Sequence, residues 1–132
     1  MSLTYMVCIV ILSISTVAFA AVPADQMKKV EFIHKSVYSD LIHLNDAESL
    51  QWDVDGGREP SSGMERVWGW STCKDGQGTN VYHYTVAQYE TITGQARASS
   101  GRIWGTGKVW AYSDWVSLDN ALVLKARVYY GL

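Results

Sequence analysis

The sequence predicts a small, mainly β protein: an antiparallel β-sandwich or barrel preceded by one amphipathic helix. Two observations carry this prediction. From Met64 to the C-terminus, apolar and polar residues alternate with the two-residue period of strands, and turn residues occur at short intervals. Between Asp25 and Leu50, apolar residues recur instead every three or four positions, which is the period of a helix. A chain of 132 residues has room for one two-layer domain.

Residues 1–20 have the pattern of a secretory signal peptide. Leu3 to Val17 is mostly apolar, and Ala18-Phe19-Ala20 supplies the small residues of a cleavage site before Ala21. The alternative is an uncleaved membrane anchor over Leu3 to Val22, because about 20 apolar residues can span a bilayer. We therefore expect a secreted, extracellular protein that keeps no stable transmembrane segment after cleavage of the signal.

Residues 21–50 are predicted to form the amphipathic helix, which could also be a propeptide. The apolar stripe of this helix consists of residues spaced by three and four, namely Val30, Ile33, Val37, Leu41 and Leu44. Residues 51–63 are rich in glycine, proline and serine, a composition typical of a linker. The β domain is accordingly predicted to span residues 64–132.

The β domain divides into about five predicted strands separated by turns. Turn residues lie at Lys74-Asp75-Gly76-Gln77-Gly78 and at Gly94, and Gly101, Gly105 and Gly107 indicate bulges or close backbone contacts. The predicted strands are Glu65 to Ser71, Thr79 to Ile92, Gln95 to Arg102, Ile103 to Ser113 and Leu122 to Tyr130. The last one alternates most regularly, as expected of a half-buried antiparallel strand.

A short pattern occurs twice in this region. Arg66-Val67-Trp68-Gly69 is matched 36 positions later by Arg102-Ile103-Trp104-Gly105. Two related strands in one sheet would explain the repetition, and so would chance similarity in a chain rich in tryptophan and glycine.

Charge and cysteine content narrow the classes of function. The chain has 11 basic and 13 acidic residues, so it lacks the positive excess of proteins that bind nucleic acid. Cys8 would leave with the signal peptide, so Cys73 would be alone in the mature chain and could form no internal disulfide. We expect Cys73 to be buried as a small apolar residue, pairing between chains being the alternative. The oligomeric state is left open.

No catalytic or metal-binding constellation emerges from the sequence. His34 and His43 lie nine positions apart, on opposite sides of a helix, so they could not share a metal ion. A pair of Cys73 and His83 would resemble half of a thiol active site, but no nucleophile motif surrounds Cys73. We therefore expect no enzyme activity, no metal and no cofactor, with a small hydrolase as a distant alternative.

The aromatic residues are the strongest candidates for a binding site. Tryptophan and tyrosine rings can stack on sugars, while basic side chains bind anionic groups such as phosphates. The predicted ligand-binding residues are Trp68, Trp70, Trp104, Trp110, Tyr112, Trp115, Arg66, Arg102 and Lys108. The alternative is a structural or interaction protein whose aromatic rings form the core. Between an aromatic binding surface and an aromatic core, we expect a compromise in which half of the tryptophans are buried.

The segment from Val67 to Tyr130 resembles the lactococcin family of secreted β-sandwich bacteriocins. The resemblance covers about half of the chain and consists of an early Trp-Gly-Trp, a Tyr-His-Tyr strand, a Gly-Lys-Val-Trp and the terminal Tyr129-Tyr130. It implies an antimicrobial, toxin-like protein that binds the cell-wall precursor lipid II. The expected function is thus a secreted, non-enzymatic module whose partner is a cell-surface glycan or a lipid-linked cell-wall precursor.

Overall fold

The computed structural model, which describes residues 29–35 and 49–132, consists of two packed β-sheets. The predicted signal peptide and most of the predicted helix lie outside the described residues. Nine strands and one four-residue helix make up the described elements. In chain order they are β1 (Val30–His34), β2 (Gln51–Ser61), β3 (Met64–Lys74), β4 (His83–Glu90), β5 (Ala96–Ser99), β6 (Ile103–Gly105), β7 (Val109–Tyr112), β8 (Val116–Ser117), α1 (Leu118–Ala121) and β9 (Lys125–Gly131).

The two sheets have different strand orders. The first sheet runs β1-β9-β4-β5, and β6 pairs with β4 beside β5. The second sheet runs β2-β3-β7, and β8 pairs with the beginning of β3. All pairs are antiparallel except β1 and β9, which are parallel. The prediction of a small, mainly β fold is confirmed, and the barrel alternative is not adopted because the two sheets do not close.

The helix predicted from the three-and-four spacing is wrong at Val30–His34, which forms β1. This stretch of Val, Glu, Phe, Ile and His also suits a strand, because Val30 and Phe32 fall on one side and Glu31 and Ile33 on the other. Pairing with β9 supplies the backbone hydrogen bonds that a helix would otherwise make. The remaining positions of the predicted apolar stripe lie outside the described residues.

The linker predicted over residues 51–63 is also wrong, because Gln51–Ser61 is a full strand paired with β3 along its length. The two strands are joined by Ser62 and Gly63, both with positive φ, as a tight type I′ hairpin turn requires. Pro60 is tolerated because β2 is an edge strand, where one missing N–H donor breaks no ladder. A composition typical of loops therefore belongs here to a hairpin.

The core between the sheets is built from small residues. Gly56 of β2 is paired with Gly69 of β3 on adjacent strands of the second sheet. Val128 of β9, in the first sheet, packs against both glycines. A Cβ atom on Gly69 would lie 2.6 Å from Val128 Cγ2, so the two sheets approach too closely there for any side chain. The buried apolar cluster is Val67, Ala87, Tyr89, Ala98, Ala111, Ala121, Leu124, Ala126 and Val128.

Several buried polar groups are hydrogen-bonded, although the Nε atoms of Arg58 and Arg127 have no hydrogen-bond partner among the described residues. The Ser71 and Thr85 hydroxyls lie 2.6 Å apart, and Thr85 donates to the Val109 carbonyl oxygen at 2.9 Å. Arg58 donates to Glu65 and to the carbonyl oxygens of Ala121 and Leu124, which ties β2 to the end of α1. These links satisfy groups whose burial without a partner would cost stability.

The predicted burial of Cys73 and the turn that follows it agree with the structure, whereas one predicted strand and the interpretation of the repeat do not. Cys73 is buried and unpaired, as predicted. The Lys74 to Gly78 turn is present, with Asp75 accepting hydrogen bonds from the backbone of Gln77 and Thr79. The strand predicted from Ile103 to Ser113 is interrupted and forms β6 and β7 in different sheets. The repeated four-residue pattern is likewise divided between β3 and β6, so the expectation of two related strands in one sheet is wrong.

Candidate aromatic recognition surface

The second sheet displays a continuous aromatic surface on the side that faces away from the core. Antiparallel pairing of β3 with β7 sets Trp68 opposite Tyr112 and Trp70 opposite Trp110. Strand alternation turns all four side chains outward, because the intervening Val67, Gly69, Val109 and Ala111 are buried. We define the aromatic face as Trp68, Trp70, Trp110, Tyr112 and Trp115 with the basic residues Arg66 and Lys108.

The rings of the aromatic face contact one another. Trp110 lies at the centre, with ring centroids 5.8 Å from Trp68, 6.3 Å from Trp70 and 6.2 Å from Tyr112. Its plane is tilted only 8° from that of Tyr112, so the two rings are nearly parallel. Relative exposure is 44% for Trp110 and Tyr112 and 39% for Trp115. Together they form a large exposed apolar surface of the kind that marks binding sites.

Both basic residues of the aromatic face lie over ring planes. The Arg66 guanidinium carbon is 4.4 Å from the Tyr112 centroid and 4.5 Å from that of Trp115. The Lys108 ammonium is 4.1 Å from the Trp70 centroid. The two cations are held differently, because Arg66 Nε also donates to Glu59 at 2.7 Å whereas Lys108 has no ion pair among the described residues.

A glycine on the neighbouring strand makes room for one of these rings. Gly57 of β2 lies opposite Trp68, and a Cβ atom there would lie 2.9 Å from Trp68 Nε1. The indole thus covers the glycine backbone, a cross-strand arrangement that stabilises a glycine within a strand. A shallow groove beside it is lined by Glu59, Arg66, Trp68, Trp110 and Tyr112.

The structure brings together seven of the nine predicted binding residues and separates the other two. Trp104 lies on β6 in the first sheet, where its ring stacks on Tyr82 at 5.4 Å and contacts Tyr84 at 5.1 Å. Arg102 lies over the Tyr84 ring at 5.5 Å. A single site containing all nine residues is therefore wrong, because the predicted strand that would have joined Trp104 to Trp110 is interrupted.

The expectation that half of the tryptophans are buried is also wrong. All six are described, and none belongs to the buried residues of the chain. At Gly56, Gly69 and Val128 the two sheets approach too closely for an indole. Trp52 lies on the core side of β2, opposite Cys73, where its ring contacts His83 and Tyr130 without being fully buried. The buried aromatic rings among the described residues are those of Tyr84, Tyr89 and His83.

Sequence reasoning missed Glu59, which holds Arg66 on the aromatic face. Glu59 lies opposite Arg66 in the pairing of β2 with β3, on a stretch that was predicted to be a linker. The sequence feature that could have revealed Glu59 is the hairpin turn at Ser62-Gly63. A strand that pairs back from this turn places Glu59 directly opposite Arg66.

The geometry does not support Cys73 and His83 as a thiol active site. Burial, and to a smaller extent the charge of Asp75, raises the pKa of the Cys73 thiol to about 11, which disfavours the reactive thiolate. His83 is fully buried, and its two ring nitrogens lie 2.7 and 2.8 Å from the carbonyl oxygens of Val81 and Ser71. Neither nitrogen faces the thiol as a base would.

Neither a metal site nor a membrane-spanning helix occurs among the described residues. No group of three or more His, Cys, Asp or Glu side chains among them is placed to hold a metal ion. Within the same part of the chain, no helix has the length and hydropathy needed to cross a membrane. Comparison of the chain with protein-family models, with curated proteins and with solved structures finds no match.

Proposed function

We propose that this protein is a secreted, non-enzymatic binding module that recognises a cell-surface or cell-wall component through its aromatic face. The observation that carries the proposal is the position of the tryptophans. Five rings from two separate segments of the chain meet on the outward side of one sheet, and three of them are more than a third exposed. Exposed rings add little to folding stability, so their clustering points to a ligand.

The chemistry of the aromatic face favours a ligand that combines sugar rings with anionic groups. Trp110 offers an exposed ring on which a sugar can stack, and Arg66 and Lys108 lie on either side of the central rings. Arg66 is fixed by Glu59, so we expect it to keep its position on binding. Lys108 is free to swing away from Trp70, which would expose that ring and direct the ammonium toward an anion.

A lipid-linked cell-wall precursor has both properties, because it joins sugars to a lipid through phosphate groups. The resemblance of Val67 to Tyr130 to the lactococcin family points in the same direction. A bacteriocin-like, antimicrobial role is therefore the specific form of this proposal, and a cell-surface glycan is the more general form.

The proposal is tested by titrating the mature chain with cell-wall glycan fragments and with a soluble lipid II analogue while tryptophan fluorescence is recorded. Trp110→Ala should weaken binding about fivefold, because an aromatic stacking contact contributes about 1 kcal/mol. Trp104→Ala is the matched control, since it removes a tryptophan from the other sheet and should leave the affinity unchanged.

Two outcomes would contradict the proposal. One is the absence of any fluorescence change with every glycan and precursor tested. The other is an equal loss of binding in Trp104→Ala and Trp110→Ala, which would mean that the aromatic face does not determine recognition. Growth inhibition of bacteria by the mature chain, lost in Trp110→Ala, would support the antimicrobial form of the proposal.

A further inference from the structure

A second concave surface lies on the first sheet, on the side facing away from the core. It is a groove of about 310 Å³, near the lower limit for pockets that hold small organic ligands. Val86 of β4 pairs with Tyr129 of β9, and Tyr84 lies two residues before Val86 on the same side of β4. The lining residues that matter here are Lys35, Tyr84, Val86, Gln88, Arg102 and Tyr129.

Part of the groove floor is apolar, because the hydroxyls of its two tyrosines are hydrogen-bonded elsewhere, while Gln88 and Ser99 add polar groups to the lining. The Tyr84 hydroxyl donates to the Lys35 carbonyl oxygen, and the Tyr129 hydroxyl donates to Glu90. The apolar part consists of the tyrosine rings and the methyl groups of Val86. Burial accordingly raises the pKa of both Tyr84 and Tyr129.

Two basic residues line the groove without an acidic partner among residues 29–35 and 49–132. Neither Lys35 nor Arg102 forms an ion pair within the described part of the chain. The Arg102 guanidinium carbon lies over the Tyr84 ring, 5.5 Å from its centroid. A groove with two unpaired cations and a partly apolar floor has the chemistry to attract an anion.

The nearest carboxylate does not cancel these charges. Glu90 lies beside Gly94 at the edge of the groove, but it accepts from Arg127 at 3.0 Å, from Gln88 at 2.9 Å and from Tyr129. Its ion-pair partner is Arg127, which also pairs with Glu31 at 3.2 Å, so neither carboxylate pairs with Lys35 or Arg102. The charges of Lys35 and Arg102 remain for a ligand.

We propose that this groove binds a small organic anion, with a phosphate or carboxylate group between Lys35 and Arg102 and an apolar body on Tyr84 and Val86. The planar guanidinium of Arg102 suits either group, since it can donate two parallel hydrogen bonds to a pair of oxygen atoms. The groove is separate from the aromatic face, because the two lie on different sheets.

Isothermal titration calorimetry of the mature chain with phenyl phosphate, benzoate and inorganic phosphate tests this inference. We expect at least one aromatic anion to bind roughly tenfold more tightly than inorganic phosphate, because its ring covers the apolar part of the floor. The tighter of phenyl phosphate and benzoate identifies the anionic group that the groove prefers.

Substitutions then locate the site. Arg102→Gln and Lys35→Gln should each weaken binding by about tenfold, the loss expected for one charge-assisted hydrogen bond. Arg97→Gln is the matched control, because Arg97 is an exposed arginine on β5 that lines a different depression. It should change the affinity less than about twofold, since a distant surface charge is screened by salt.

Several results would overturn the inference: no heat of binding with either aromatic anion, no aromatic anion that binds more tightly than inorganic phosphate, or equal losses in Arg97→Gln and Arg102→Gln. Binding that is lost in Trp110→Ala but retained in Arg102→Gln would also overturn it, because the anion would then occupy the aromatic face. Thermal melts of each variant exclude unfolding as the cause of a loss.

Discussion

The two sides of the second sheet carry different kinds of side chain, supplied by alternate residues of the same strands. Toward the core, β3 and β7 present Val67, Gly69, Ser71, Val109 and Ala111, all buried. Away from the core, the intervening positions carry three tryptophans and a tyrosine, all at least partly exposed. Three of the six tryptophans therefore lie on the side of this sheet that faces away from the core.

From this difference we expect the core side of the sheet to determine folding stability and the aromatic face to determine binding. The spacing between the sheets is so small at Gly56, Gly69 and Val128 that added volume on the core side has no place to go. The aromatic face has no such constraint, because its rings contact each other and two cations at the surface. Substitutions on the core side should thus affect folding, and substitutions on the aromatic face should affect binding.

The largest expected effect is that of Gly69→Ala. Its new methyl carbon would lie 2.6 Å from Val128 Cγ2, and Val128 is fully buried. We expect a loss of about 3 kcal/mol in the free energy of unfolding, the upper end for overpacking a core. The measurement is urea denaturation followed by circular dichroism.

A double-mutant cycle makes this prediction specific to the close contact. Val128→Ala removes the clashing methyl groups, so Gly69→Ala should cost at least about 1 kcal/mol less in that background. Gly76→Ala, in an exposed turn, is the control and should cost less than about 0.5 kcal/mol. Additive effects of the two core substitutions would mean that the sheets can move apart.

The next effect in size is that of Val109→Ala on the core side of β7. Val109 is buried, and its truncation removes two methyl groups and leaves a cavity. We expect a loss of about 2 kcal/mol, from roughly 0.8 kcal/mol per buried carbon plus a cavity contribution. A loss below about 0.5 kcal/mol in the same denaturation assay would contradict the assignment of this side to the core.

The sequence was informative about the fold where the strand signal is local. β3, β7 and β9 follow from their own alternation, and the turns at Asp75 and Gly94 follow from residues that favour positive φ or side-chain hydrogen bonds. β1 could not be recognised in this way, because its pairing partner β9 is distant in sequence. β2 could not be recognised because its glycine, proline and serine content is typical of a loop. Gly56 and Gly57 are present because of contacts with Val128 and Trp68, which no local pattern encodes.

The candidate site was likewise predictable only in part from the sequence. A two-residue period is enough to place Trp68 beside Trp70 and Trp110 beside Tyr112 on common sides. It does not tell which side faces the core, because rings can serve either purpose. That choice depends on the opposing sheet, and at Gly69 the close approach of Val128 leaves no space for a side chain.

A smaller effect is expected from the buried thiol at high pH. Burial, then the charge of Asp75, raises the pKa of Cys73 from 9.0 to about 11. Since the folded protein retains this proton more strongly than the unfolded chain, the stabilising contribution is complete below pH 9 and is lost as the pH rises through about 11. Unfolding free energies at pH 8 and pH 11 should therefore differ, by an amount on the order of 1 kcal/mol from this group.

Comparison with Cys73→Ala isolates the contribution of the thiol, because Tyr84, Tyr89 and Tyr129 also have raised pKa values and their stabilising contributions change in the same direction with pH. The decrease between pH 8 and pH 11 should be smaller in the variant than in the parent protein. Equal decreases would show that the thiol is accessible to solvent, and rapid reaction of Cys73 with iodoacetamide at pH 8 would lead to the same conclusion.

The smallest expected change in stability belongs to Trp110→Ala, although it removes the most atoms. Trp110 is 44% exposed and contacts mainly the other rings of the aromatic face, and cross-strand pairs of this kind contribute about 0.2 to 1 kcal/mol. We therefore expect a loss of about 1 kcal/mol or less, smaller than that of Val109→Ala one residue earlier on the same strand. Because neighbouring residues of a strand face opposite sides, the pair compares the two surfaces directly. A loss of roughly 3 to 5 kcal/mol in Trp110→Ala, as for a tryptophan in a core, would remove the distinction between a stabilising side and a recognising side.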